Sequence, residues 1–249
     1  YDLTSPAWGP TFARLAANYR FVRYDARGNG LSDWDISDIT FENSVGDLEA
    51  VVDGLGLEKI SLLGLSQGAP IAIAYAARHP ARVSRLLLHG CYARGRHRRN
   101  NDLERKKSEM MDTLITTGWG SDSPVYNNAL ASFFIPSAAP DQIRSFALLQ
   151  RVSAPAANVL RLKAMLDEID ITALLPTIGV PTLVTHSRHD QMVPIEEGRL
   201  AAAAIPGARF VSLESDNHVL LPGEPAWDQW MSLLEGFQRD QLGRGQGAR

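Results

Sequence analysis

The stretch "SLLGLSQGAPIAIAYAARHP", residues 61–80, decides the fold. An apolar run from Ile60 to Leu65 ends at a serine set between Gly64 and Gly68, and an alanine-rich segment with helical character follows at once. Gly64-Leu65-Ser66-Gln67-Gly68 has the form G-x-S-x-G, with a strand entering and a helix leaving, which is the context that motif requires. So sharp a turn puts its central residue in a strained conformation, and we expect both flanking glycines to be there to avoid clashes. The turn would aim the Ser66 hydroxyl away from the end of the strand. The Gln67 N–H would lie at a helix start, where unpaired donors and the helix dipole favour negative charge.

Working outward, short apolar runs alternate with helical stretches. The runs are 20–25, 59–65, 83–90, 181–187 and 208–215, and most show no polar alternation. Strands of that kind are covered on both faces, as in a parallel sheet. Helical spacing fills the stretches around 5–19, 40–57, 67–80, 196–206 and 225–240. Strand then helix, repeated, predicts a doubly wound, mostly parallel α/β sheet. Residues 92–176 break the rhythm with four helical stretches, at 102–117, 124–134, 140–151 and 155–168. We therefore expect a core made of 1–91 and 177–249, with 92–176 inserted as a helical cap over the carboxyl edge of the sheet.

Composition narrows the function. The chain has 249 residues, a net charge of −3 and one cysteine. No basic face suggests nucleic acid, no apolar run reaches the ~18 residues of a membrane span, and one cysteine excludes an internal disulfide. We expect no nucleic-acid or membrane partner and a cytoplasmic location; a homodimer stays open. Zinc or calcium spacing, a phosphate-cradling loop and a dinucleotide fingerprint are all missing, so no cofactor or metal is expected.

A serine hydroxyl needs a base to take its proton. "TLVTHSRHD" runs from a strand into a loop ending at Asp190, and "FVSLESDNH" does the same up to His218. In a parallel sheet both loops leave the same rim as Ser66. His186, His189 and Asp216 lie in the same loops as competing candidates.

These features together resemble the α/β-hydrolase superfamily. "YDARGNGLSD" (24–33) is similar to its D-x-R-G-x-G-x-S segment, and "VPTLVTHSRHDQMVP" to its acid-bearing strand and loop. The resemblance implies the order nucleophile, acid, base: Ser66, Asp190, His218. It also implies an oxyanion hole formed by the Gln67 N–H and a second donor from a loop ahead of Tyr1. In that family a further strand lies between those at 20–25 and 59–65, so we expect additional residues at the amino end, or another chain, to fill the gap. A narrower likeness, in "YDLTSPAW", "HGCYARGRHRRN" and "LESDNHVLLPGEPAW", is to hydrolase domains that bacteria join to nucleotide cyclases or response regulators.

The function expected is cleavage of a small carboxylic ester or related acyl bond, as in a carboxylesterase, through an acyl-enzyme on Ser66. The alternative is a ligand-sensing domain with little turnover, coupled to a signalling partner. Perhydrolysis and C–C cleavage by the same triad form a third option. Aromatic and methionine residues of the insertion suggest a largely apolar pocket for an uncharged acyl group. The basic knot Arg94, Arg96, His97, Arg98 and Arg99 reads as a solvated hinge or, alternatively, as an anion site. Cys91 reads as a packed small hydrophobe and His89 as a core or rim residue.

Overall fold

The computed structural model describes residues 2–121 and 123–239. Four parallel strands, β1 (Ile60–Leu65), β2 (Val83–His89), β3 (Thr182–Ser187) and β4 (Arg209–Leu213), lie side by side in chain order. The nine helices described are α1 (Gly9–Asn18), α2 (Phe41–Gly54), α3 (Gly68–Arg78), α4 (Asp102–Gly118), α5 (Pro124–Phe134), α6 (Pro140–Ser153), α7 (Ala156–Asp167), α8 (Ile195–Ala204) and α9 (Pro225–Arg239). Among the described residues no helix is long and apolar enough to cross a membrane.

Successive side chains of a strand point to opposite faces, and here both faces are apolar. Leu86, Leu88 and Val184 join a core with α2, α3 and α8, whereas Leu87, Leu183 and Leu213 join a second core with α9. That two-sided burial is why the strands read as unbroken apolar runs. Helix α3 is buried along most of its length, and its alanines let it lie close against β1 and β2. Two of the inserted helices, α4 and α5, start where a side chain supplies the missing acceptor: Asn101 Oδ1 accepts from the Leu103 N–H at 2.9 Å, and the Ser123 side chain accepts from the Val125 N–H.

One expected strand is not in the sheet. Residues 20–25 form no ladder with any described strand, and β1 pairs with β2 alone. A segment becomes a strand only where a neighbour takes its hydrogen bonds, and no strand lies beside β1 on that side among the described residues. Phe21 packs against Phe12 instead, with ring centroids 5.7 Å apart. An apolar cleft of about 770 Å³ opens between α1, residues 21–23 and the end of α2, lined by Phe12, Ala16, Val51 and Leu55.

Because the sheet is parallel, residues just past each strand gather at one rim. Ser66 follows β1, Gly90 follows β2, Asp190 lies beyond β3 and His218 beyond β4. Helices α4 to α7 are tied to this side of the sheet. The Asn158 side-chain amide of α7 donates to Gly28 O and Trp34 O, both at 3.0 Å, and the Gly30 N–H donates to Ser153 O at 2.7 Å.

Candidate active site

Ser66 has φ +48°, left-handed backbone that a non-glycine residue adopts at a cost of about 1–3 kcal/mol. Gly64 makes this turn feasible: a Cβ there would lie 2.7 Å from the Ala69 Cα at the start of α3. Gly68 does not share that duty. A Cβ at Gly68 would meet nothing within 4 Å, so the expectation that both flanks must be glycine on steric grounds is corrected to Gly64 alone. Gln67 caps α3, and the first N–H groups of a helix have no intrahelical acceptor. The Ser66 N–H is anchored to His89 O at 2.9 Å.

His218 Nδ1 donates to Asp190 Oδ2 at 2.6 Å, and both side chains are almost wholly buried. The other carboxylate oxygen accepts from the Met192 and Val193 N–H groups at 2.8 and 2.9 Å, so the loop after β3 is wrapped round its own acid. Burial pushes the Asp190 carboxyl up. The His218 charge and hydrogen bonds from the His186 and His218 rings outweigh that and hold it well below the usual carboxylate range. An ionised Asp190 fixes the His218 proton on Nδ1 and leaves the Nε2 lone pair free.

The ring of His218 lies over Gly90, where a Cβ would come within 2.7 Å of its Cε1. Gly90 also has φ +56°. The Ser66 N–H is hydrogen-bonded to His89 O and the His218 ring lies against the adjacent Gly90, so both residues lie at the end of β2. No hydrogen bond joins Ser66 Oγ to His218 among the described residues. Phe134 of α5 packs edge-on to the His218 ring, and its carbonyl accepts from the His218 N–H at 2.8 Å.

The competing candidates are otherwise engaged. His186 is fully buried; its Nε2 donates to Val193 O at 2.9 Å and lies 3.4 Å from Asp190. His189 pairs with Glu214 at 3.4 Å, and Asp216 accepts from the Ser137 hydroxyl at 2.9 Å. Sequence reasoning left His89 and Gly90 without a role. Buried His89 contacts Thr185 Oγ1 at 3.0 Å and His218 O at 3.2 Å, which steadies the loop carrying His218. Burial, with the neighbouring His218 and His186 adding to it, pushes His89 down to about 3, so it stays neutral. Burial also pushes the Cys91 thiol up to about 12, which makes it unreactive in the folded chain.

A cavity of about 160 Å³ opens beside Ser66 and Gln67 under the inserted helices. Met111, Ile115, Trp119 and Leu130 make part of its wall apolar, but Arg96, Arg99, Lys163 and Asp167 line it too. The pocket expected for an uncharged group therefore carries charge. Within the basic knot, His97 and Arg98 are exposed, while the Arg96 and Arg99 side chains are only 10% and 6% accessible. No group of His, Cys, Asp and Glu among the described residues is arranged to hold a metal.

The chain is 27% identical over 201 residues to the AB hydrolase superfamily protein YisY of Bacillus subtilis, covering 80% of this chain and 75% of that one. It is 26% identical over 236 residues to 3-oxoadipate enol-lactonase 1 of Acinetobacter baylyi, covering 92% of this chain and 82% of that one. The crystal structure of the enol-lactonase from Burkholderia xenovorans LB400 superimposes with a TM-score of 0.74 at 26% identity, covering 96% of this chain and 89% of that one. A family model for the alpha/beta hydrolase fold matches residues 4–225. The chain belongs to the α/β-hydrolase family and is a hydrolytic enzyme of that type.

Proposed function

We propose that the chain is a serine hydrolase that opens small carboxylic esters, lactones or related acyl bonds through Ser66, His218 and Asp190. The observation that carries this is the buried Asp190–His218 pair at 2.6 Å, its ring against Gly90, beside the strained serine whose N–H is bonded to His89. His218 Nε2 takes the proton from Ser66 Oγ as the oxygen attacks the acyl carbon. Asp190 keeps the ring in the right tautomer and stabilises the imidazolium. The oxyanion is met by the Gln67 N–H and by one further donor outside the described residues. His218 returns the proton to the leaving alcohol as the acyl–oxygen bond breaks. Water, deprotonated by the same ring, then releases the acid and restores Ser66. The acyl-transfer names carried by relatives, esterase, enol-lactonase and putative carbamate hydrolase, support the reaction class.

The test is fluorophosphonate labelling with mass mapping, alongside turnover of a short p-nitrophenyl ester. Labelling at Ser66 is expected, with loss of at least about 10³-fold in kcat for Ser66→Ala. Undiminished turnover in that variant overturns the assignment.

A further inference from the structure

The basic knot sends two of its arginines into the cavity beside Ser66, and one of them, though near two carboxylates, keeps a buried N–H with no hydrogen-bond acceptor. Three cations, Arg96, Arg99 and Lys163, line that cavity. Two carboxylates, Glu104 and Asp167, each with a side chain 4% exposed, lie among them. Glu104 is committed to Arg99 at 2.7 Å and to Lys107 at 3.1 Å. Asp167 Oδ2 accepts from the Ser108 hydroxyl at 2.6 Å and from Lys163 at 2.7 Å. Lys163 also reaches Asp112 at 3.0 Å, at the margin of the cluster. Arg99 donates its Nε to Arg94 O at 2.9 Å and lies over the Tyr92 ring.

Arg96 is different. Its Nη2 donates to Met192 O at 2.9 Å, and its nearest carboxylate oxygens stand at 3.7 and 3.9 Å, too far for a hydrogen bond. Its Nε is buried with no acceptor, and a second residue of the cavity lining, Gln150, has a buried Oε1 with no partner. A guanidinium held in a pocket with an unmet N–H is built to take an oxyanion, and a carboxylate matches its planar fork. The Gln150 amide, whose O and N ends are interchangeable by a flip, can add an N–H to the same anion.

We propose that this cavity holds a carboxylate subsite centred on Arg96, so that the acyl substrate carries a second, ionised carboxyl group on a short chain. The proposal rests on Ser66 being the nucleophile and specifies which acyl groups it receives. At about 160 Å³ the cavity is smaller than the ~300–1,000 Å³ of sites for drug-sized ligands, which suits a compact half-ester or an acid-bearing lactone.

The experiment compares two esters of equal chain length, mono-p-nitrophenyl glutarate and p-nitrophenyl valerate, with spontaneous hydrolysis subtracted. The full chain is expected to favour the glutarate ester by about 10–100-fold in kcat/KM, the size of a lost charge-assisted hydrogen bond. In Arg96→Gln that ratio falls to about one, and Arg96→Lys lies between. A wild-type ratio at or below one, or a ratio that Arg96→Gln leaves unchanged, overturns the subsite. Should Arg96→Gln fail to fold, inhibition of the unsubstituted protein decides: glutarate outcompetes the neutral valeramide if the subsite exists, and equal inhibition overturns it. If neither ester is cleaved and Ser66 resists the fluorophosphonate, the serine-hydrolase reading has failed. Calorimetric titration with glutarate and the neutral valeramide then still tests the subsite, and equal affinities overturn it.

Discussion

At the scale of single residues, the serine turn depends on one glycine more than the other. The two positions of the motif predict opposite outcomes under the same substitution. Gly64→Ala drives a methyl into the backbone of α3, and overpacking of that kind costs about 1–3 kcal/mol or more. Gly68→Ala points its methyl into open space at the helix start and trades glycine's backbone freedom for alanine. We expect the second change to be neutral or stabilising by up to about 1 kcal/mol. Urea midpoints of both variants check this, and equal losses would contradict the geometry. The clash at Gly64 involves Ala69, five positions along the chain, so the motif's letters name both glycines without ranking them.

At the scale of elements, the join between the inserted helices and the sheet decides how firmly the cavity is closed. Asn158 is buried, and its amide donates to two carbonyls of the loop at residues 26–36 while its oxygen accepts from Arg161 at 2.6 Å. Removing it leaves the buried Gly28 carbonyl without this donor, at about 1–3 kcal/mol, and also frees the carbonyl of exposed Trp34. Asn158→Ala is therefore expected to lose about 2 kcal/mol or more in a urea titration, and a loss below about 0.5 kcal/mol would show that the loop does not depend on this amide. The helices themselves were legible in the sequence: the stretches expected at 102–117, 124–134, 140–151 and 155–168 match α4 to α7 within a few residues. The segment 20–25 was misread because pairing is not a local property. Its apolar residues suit a strand, but a ladder needs a neighbour, and β1 offers none next to it among the described residues.

At the scale of the whole molecule, acid resistance is governed by a histidine that takes no part in the proposed proton transfers. His89 is buried and neutral, with its folded value pushed down to about 3. The unfolded chain binds that proton near 6.5, so between about 6.5 and 3 the unfolded state holds more protons and stability falls as pH falls. Asp190, held low, contributes stability that is present above the ordinary carboxylate value and is lost only in stronger acid. Between pH 6 and pH 5, His89 should account for about 1 kcal/mol of lost stability. Denaturant titrations at both pH values should show a smaller loss in His89→Gln than in the unsubstituted chain, and equal losses would contradict a neutral buried His89. The parallel α/β architecture was legible because both faces of the sheet are apolar, which removes alternation from most strands. Several candidates end loops on one rim, and it was the resemblance to the family's chain order that singled out Asp190 and His218, whereas His89, Gly90 and Phe134 could not be read as their neighbours. Their contacts with His218 arise only once β2 and α5 are packed against the loop after β4. The division of the basic knot into exposed and buried members was hidden for the same reason, since it depends on where α4 and α7 dock.

The order of the strands has a consequence for the way the chain is made. Ser66 leaves the ribosome early, on the first strand, and the imidazole proposed to activate it follows the fourth. Emergence runs from the amino end, so the proposed nucleophile is made before the histidine proposed to deprotonate it. An incomplete polypeptide would hence carry an inert hydroxyl, and hydrolytic power would arrive only when the final strand closes the sheet.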